Sequence, residues 1–111
     1  MKLALIFFVA ISFPVLALSD MYGQGKAYYY GEGVTQDYKK ASDIFYSETQ
    51  KGDLNSQTAL GLMYIEGKGV AQDDQEGIEY LRDSANKGHD NAQYFLAVMY
   101  YLGIGLDKDY E

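Results

Sequence analysis

The sequence predicts an all-α fold, an α-solenoid of antiparallel helix pairs, and two observations support this prediction. Three segments that begin at Gly25, Gly61 and Ala97 align without gaps at a spacing of 36 residues. Within each segment, apolar residues recur at helical spacing until a pair of glycines interrupts them. A unit of this length holds one helix pair, which buries its apolar face only by stacking on a neighbouring unit.

The repeat is visible as columns of matching residues 36 positions apart. The columns are Tyr28, Tyr64 and Tyr100; Gly31, Gly67 and Gly103; Gly33, Gly69 and Gly105; and Asp37, Asp73 and Asp109. So many identities at one spacing do not arise by chance. They predict two and a half units, which are residues 20–55, residues 56–91 and an incomplete third unit at residues 92–111.

The second unit indicates how each period divides into two helices. Over residues 56–66, apolar and small side chains recur at i, i+4, i+7 and i+8, which predicts the first helix. Gly67 is predicted to end it, because glycine adopts the left-handed C-cap conformation without steric cost. Asp73 is predicted to cap the N-terminus of the second helix, and Gly88 is predicted to end that helix.

The second helix is predicted to be amphipathic. Its inward face holds Gly77, Ile78, Leu81, Ser84 and Ala85, and its outward face holds Gln75, Glu76, Glu79, Arg82 and Asp83. We interpret the acidic outward face as a solvated surface. The small residues Gly61, Gly77 and Ala85 predict a close approach of two helix backbones. The tyrosine column that contains Tyr28, Tyr64 and Tyr100 is assigned to the core.

Residues 1–19 are predicted to be a secretory signal peptide. A basic residue precedes an apolar run, and small residues stand at positions −3 and −1 of two cleavage sites, after Ala17 or after Ser19. The alternative is an uncleaved anchor, but Ser12 and Pro14 interrupt the run, and a membrane-spanning helix needs ~20 apolar residues. We therefore predict a periplasmic or secreted protein that meets the membrane only through this leader during export.

Composition restricts the partners of the mature chain. The formal net charge is −7 for the full chain and −8 once Lys2 leaves with residues 1–19, which disfavours nucleic acid and anionic membrane surfaces, because like charges repel. The chain has no Cys, so the exported protein must be stabilised by packing rather than by disulfides. All 12 Tyr and all 12 Gly lie outside the leader, where they accompany the repeat.

One motif carries a resemblance to a known family. It reads Leu60-Gly61-x-x-Tyr64-x-x-Gly67-x-Gly69-Val70-x-x-Asp73, followed by Gly77, Leu81, Ser84-Ala85 and Gly88. This pattern resembles the Sel-one-like repeat, a tetratricopeptide-like helical repeat, and the resemblance covers the whole chain after the leader. The departures are Glu48 and Thr49 in place of two small residues, Gly77 in place of Ala, and Ala97 and Leu106 in place of Gly and Val.

The resemblance implies that the first helix of each unit lines a concave binding face. On a helical wheel with Leu60 at zero, one set of residues lies near the opposite side of these helices. The set is Tyr22, Lys26, Tyr29, Thr58, Leu62, Ile65, Tyr94, Val98 and Tyr101. Tyrosine offers a rigid apolar ring and one hydroxyl group, so we predict that this face binds a protein or peptide. The alternative is that some of these residues pack against the adjacent unit.

We predict that the protein is not an enzyme, although one catalytic alternative stays open. Ser84 and Lys87 match the Ser-x-x-Lys spacing of penicillin-interacting serine enzymes. The alternative function is therefore a small cell-wall-linked enzyme or β-lactam-binding protein that uses these two residues. Against it, the sequence lacks the partner segments of such an active site and the Cys pairs of the exported relatives linked to β-lactams.

No cofactor or metal is predicted. His89 is the only histidine, and with neither a second His nor a Cys it is interpreted as a solvated loop residue. The paired glycines follow predicted helices rather than strands, so they are not a dinucleotide-binding fingerprint. Asp107, Asp109 and Glu111 lack the spacing of a calcium-binding loop.

The third unit stops at Tyr110-Glu111, where its second helix should begin. Apolar residues of its first helix and turn are then expected to lack a cover, namely Phe95, Val98, Tyr101, Leu102 and Ile104. Two expectations follow. Either more sequence continues the array, or a partner or a second copy covers this end, and the latter predicts self-association through the C-terminal unit.

Overall fold

The computed structural model describes residues 20–105, and every regular element in that range is an α-helix. The helices are α1 (Met21–Tyr30), α2 (Tyr38–Gln50), α3 (Leu54–Glu66), α4 (Asp74–Asn86) and α5 (Asp90–Leu102). Each helix packs against the next one along the chain, and α3 also contacts α1. This confirms the predicted all-α solenoid. The leader, its two cleavage sites and the acidic residues after position 105 lie outside the described residues.

The backbone reproduces the 36-residue period. The C-caps Gly31, Gly67 and Gly103 have φ angles of 73°, 71° and 74°, so Gly67 ends α3 in the predicted left-handed conformation. Asp37 and Asp73 cap α2 and α4, and their side chains accept the N–H groups of the third helical residues, Lys40 and Glu76. Equivalent positions therefore adopt equivalent local structure.

Two hydrophobic clusters hold the units together. The first consists of Ala41, Phe45, Leu60 and Met63, which come from α2 and α3. The second consists of Ile78, Leu81 and Met99, which come from α4 and α5. Gly77, Ile78, Leu81 and Ser84 on the predicted inward face of α4 are all buried. The core thus runs along the layer between the first and second helices.

The predicted close approach of two backbones occurs between α3 and α4. A Cβ atom placed on Gly77 would lie 2.6 Å from the carbonyl oxygen of Gly61 and 2.5 Å from Cγ1 of Ile65. Carbon atoms at normal contact are about 3.5–4.0 Å apart, so these helices pack at a distance that only glycine permits.

The tyrosine column behaves differently along the array. Tyr28 and Tyr64 pack against the first cluster, and Tyr64 stacks on Tyr80 with ring centroids 5.6 Å apart. Tyr100 is 40% exposed, so its assignment to the core was wrong. The reason is its place in the array, because α4 covers Tyr64, whereas no described helix follows α5 to cover Tyr100. Its hydroxyl instead accepts a hydrogen bond from Arg82 at 3.1 Å.

Candidate partner-binding groove

The first helices of the three units, α1, α3 and α5, enclose a groove of about 580 Å³. Its floor comes from α3, where Ala59, Leu62 and Met63 lie. Tyrosines of α1 stand on one side, and Tyr94 and Phe95 of α5 stand on the other. The groove is therefore an apolar trough with aromatic walls, positioned by helices rather than by loops.

Eight of the nine residues predicted for the concave face line this groove. They are Tyr22, Lys26, Tyr29, Thr58, Leu62, Ile65, Tyr94 and Val98. The ninth, Tyr101, lies outside the groove and is 89% exposed. Its counterpart one unit earlier, Ile65, packs against the second cluster, which the following helices supply. No described residue covers Tyr101 in this way. Whether a second copy of the chain covers it is not tested by any contact, so self-association through this end stays a prediction.

A polar network at one end of the groove joins the first unit to the second. The Tyr29 hydroxyl donates a hydrogen bond to Glu66 Oε1 at 2.9 Å, and the ammonium of Lys68 donates to the same hydroxyl at 3.3 Å. Lys68 also lies 5.4 Å from the centroids of the Tyr29 and Tyr38 rings and 3.6 Å from the Glu66 carboxylate. Burial, followed by the hydrogen bond to Glu66, raises the pKa of Tyr29 above its usual value.

Tyr22 and Lys26 form the other part of the α1 wall. The Tyr22 ring packs against Phe45 with centroids 5.8 Å apart, and burial raises the pKa of its hydroxyl above the usual value. The ammonium of Lys26 lies 4.9 Å from the centroid of the same ring. One turn of helix thus presents an aromatic ring together with a cation to the groove.

His89 lies at the polar rim of the groove, and its interpretation as a solvated loop residue was wrong. It is the N-cap of α5, where Nδ1 accepts the N–H of Ala92 and lies 2.9 Å from the Thr58 hydroxyl. Nε2 lies 2.8 Å from Oδ1 of Asn55. The ring therefore joins α5 to α3. The repeat register contains the signal that was missed, because the residue 36 positions earlier is Asp53, the N-cap of α3.

Both nitrogens of His89 are thus committed to structural hydrogen bonds. Among residues 20–105, no group of three or more His, Cys, Asp or Glu side chains is placed to hold a metal ion. The chemistry that the groove offers is apolar contact, stacking and hydrogen bonding at its rim.

Comparison with known sequences decides the family. The Sel1 repeat family model matches three segments of this chain, which are residues 17–41, 54–89 and 90–111. Together these segments make up most of its length. The chain belongs to the Sel1 repeat family. Sel1 repeat proteins are typically protein-interaction scaffolds. None of the curated proteins matches the chain.

Two solved structures share the Sel1 repeat architecture. A protective antigen of uropathogenic Escherichia coli strains, which displays an SLR fold, is 38% identical with a TM-score of 0.73, and the match covers 81% of this chain and 19% of that one. A Sel1 repeat protein from Oxalobacter formigenes is 32% identical with a TM-score of 0.73, covering 81% of this chain and 37% of that one. The chain therefore spans a minor part of the length of both proteins.

The repeat also accounts for the Ser-x-x-Lys match. Ser84 is fully buried against the neighbouring helices, so a substrate has no access to its hydroxyl in this structure. Lys87 pairs instead with Asp83, at 2.9 Å. The position of Ser84 is that of a small residue between packed Sel1 helices, which is a structural role.

Asp83 links the two helices of the second unit. Gln57 of α3 donates to its carboxylate at 2.7 Å and to the carbonyl oxygen of Tyr80 at 3.1 Å. The hydrogen bond from Gln57, followed by that from Lys87, holds the pKa of Asp83 below its usual value. Because the folded state favours the ionised carboxylate, this contribution to stability is present at neutral pH and is lost as the pH falls through the folded pKa.

Proposed function

We propose that this protein is exported and acts as a noncatalytic scaffold that binds a segment of a protein partner in the groove. The observation that carries the proposal is the groove itself, an apolar floor between aromatic walls with hydrogen-bonding groups at the rim. Sites that bind peptides and other ligands combine a concave apolar surface with a few placed polar groups. Membership of the Sel1 repeat family supports the same conclusion.

The dimensions of the groove favour an extended segment. Helices in direct contact have axes about 8–10 Å apart, so the path from α1 across α3 to α5 is at least about 20 Å. An extended chain rises about 3.3 Å per residue, so roughly six or more residues span that path. Tyr94 is 66% exposed on the α5 wall, so its ring is available to a ligand without displacement of the core.

We expect Tyr94→Ala to weaken binding of the natural partner about tenfold, which is typical of an aromatic residue central to an interface. The matched control is Tyr46→Ala, because Tyr46 is a 52% exposed tyrosine of α2 that does not line the groove. The partner is isolated from an envelope extract with the mature chain and purified, and its dissociation constant is measured for the three proteins. Equal affinities of wild type and Tyr94→Ala contradict the groove as the binding site.

The proposal of export rests on the leader at residues 1–19. Among residues 20–105, no helix is long and apolar enough to cross a membrane. Cleavage after Ala17 or after Ser19 leaves Asp20, the N-cap of α1, in the mature chain, so neither cut removes part of the first helix. We expect the exported protein to begin at Leu18 or Asp20, as determined by intact mass after expression of the full chain. A product that retains residues 1–19 contradicts the cleaved leader.

A further inference from the structure

Within residues 20–105, one charged side chain of the groove has no partner of opposite charge. Three of its lining side chains are able to carry charge, namely Lys26, Glu66 and His89. Glu66 is bonded to Tyr29 and lies 3.6 Å from the ammonium of Lys68, and both nitrogens of His89 are hydrogen-bonded. The ion pairs formed within residues 20–105 leave Lys26 without a carboxylate, and its described contact is with the Tyr22 ring.

The position of this cation is specific to one end of the groove. The residues 36 and 72 positions further along the chain are Leu62 and Val98, which line the same groove. The same wheel position is thus basic on α1 and apolar on α3 and α5. A ligand that follows the groove meets a positive charge beside an aromatic ring at the α1 wall and apolar side chains at the equivalent positions of α3 and α5.

We propose that the groove selects a peptide segment in which an apolar residue lies close to a carboxylate, with the carboxylate paired to Lys26. This inference rests on the proposed function, and it names the chemistry of the partner segment. A carboxylate supplies the acceptor that the ammonium lacks, and the charge-assisted hydrogen bond is stronger than one between neutral groups. The apolar residue occupies the floor at Leu62, where its burial supplies the hydrophobic part of the affinity.

The net charge of −7 does not oppose this pairing at close range. At physiological ionic strength the Debye length is about 8 Å, so acidic residues on the outward faces of α2 and α4 are screened from a ligand held between α1 and α3. The nearer carboxylates are Glu66, which lines the groove and accepts the Tyr29 hydrogen bond, and Asp20 and Asp53, whose charges help to raise the pKa of Tyr22. Direct contact with Lys26 is therefore the interaction that favours a carboxylate in the bound segment, against repulsion by these three groups. The overall negative charge slows the approach of acidic partners, which is an effect on the association rate.

The experiment is a selection from two random peptide libraries displayed on phage, one with internal 12-residue segments and one with free C-termini. The mature wild type, Lys26→Gln and Lys26→Glu are the targets. The matched control is Lys40→Gln, because the Lys40 ammonium also lies over a tyrosine ring, 5.0 Å from the centroid of Tyr28, but outside the groove. All four proteins are first compared by circular dichroism, and each replaced lysine is exposed, so we expect equal folding.

We expect wild type and Lys40→Gln to enrich peptides with a carboxylate within a few residues of an apolar side chain, and Lys26→Glu to enrich basic residues instead. The affinity of a synthetic selected peptide should fall about two- to fivefold in Lys26→Gln, the size of an exposed ion pair. Enrichment in the internal library assigns the carboxylate to Asp or Glu side chains, and enrichment confined to the other library assigns it to the chain terminus.

Two results would overturn the proposal, and they differ in what they leave standing. If Tyr94→Ala weakens binding of the selected peptides but all lysine variants select the same sequences, the carboxylate preference is wrong and the groove still binds peptides. If no selected peptide depends on Tyr94, both the carboxylate preference and the peptide-binding function of the groove are wrong.

Discussion

Gly69→Ala is expected to lower the free energy of unfolding by about 2–4 kcal/mol, the sum of about 1 kcal/mol for a left-handed residue and about 1–3 kcal/mol for overpacking. Gly69 has a φ of 75°, which an L-residue with a side chain adopts at a cost. An added Cβ would also overlap the carbonyl oxygen of Tyr38, and it would lie 2.7 Å from the carbon of that group. The overlapping atoms belong to the backbone of Tyr38, at the start of α2, which has less freedom to move away than a flexible side chain has.

The matched control for this prediction is Gly33→Ala. Gly33 occupies the same turn position one unit earlier, with a φ of 77°, and nothing lies within 4 Å of a Cβ placed on it. We expect Gly33→Ala to cost about 1 kcal/mol, the left-handed contribution alone. Urea unfolding monitored by circular dichroism measures both values. Equal destabilisation by the two substitutions would show that the close contact between Gly69 and α2 adds nothing to the free-energy cost of Gly69→Ala.

This pair of glycines shows what the sequence could and could not predict about the fold. The spacing of 36 residues predicts that Gly33 and Gly69 occupy equivalent turns, and their φ angles agree within 2°. Their surroundings differ because the turn that contains Gly69 packs on α2 of the preceding unit, whereas no described unit precedes Gly33. A repeat therefore predicts local conformation, while the position of a unit in the array determines what each residue contacts.

The same distinction explains why Tyr100 and Tyr101 at the C-terminal end differ from their counterparts one unit earlier. Tyr64 and Tyr100 are equivalent in sequence, as are Ile65 and Tyr101. Tyr64 and Ile65 are covered by later helices, and their counterparts at the end of the described array are exposed. Helical periodicity specifies which face of a helix a side chain occupies, but it carries no information on whether another helix lies over that face.

The groove was predictable to a similar extent. A helical wheel places the predicted residues on one face of three helices, and eight of the nine line the groove, while their part in binding stays a prediction. The hydrogen bonds at its ends were not predictable, since Tyr29 and Glu66 belong to different units and meet only after α1 packs on α3. The N-cap role of His89 is missed when a single histidine is considered only as a reactive or solvated residue. Its position 36 residues after Asp53, the N-cap of α3, is the signal for that role.

Gly77→Ala is expected to lower the free energy of unfolding by up to about 2 kcal/mol, although Ala is the usual residue of Sel1 repeats at this position. In an exposed helix, Gly→Ala stabilises by about 1 kcal/mol, because the unfolded chain loses freedom and helix propensity rises. Here the added methyl group would meet a backbone carbonyl oxygen of α3 at 2.6 Å and the Ile65 side chain at 2.5 Å. Overpacking at such a contact costs up to about 3 kcal/mol, which exceeds the gain in helix propensity.

The control for Gly77→Ala is Ser47→Ala, at an exposed position of α2, where we expect a change within about 0.5 kcal/mol. Urea unfolding of the three proteins provides the comparison. Because Ile65 lines the groove, its displacement should also weaken binding of a selected peptide even where Gly77→Ala is still fully folded. Stabilisation by about 1 kcal/mol with unchanged binding would show that α3 and α4 separate freely, and that the contact between Gly61 and Gly77 does not set the geometry of the groove floor.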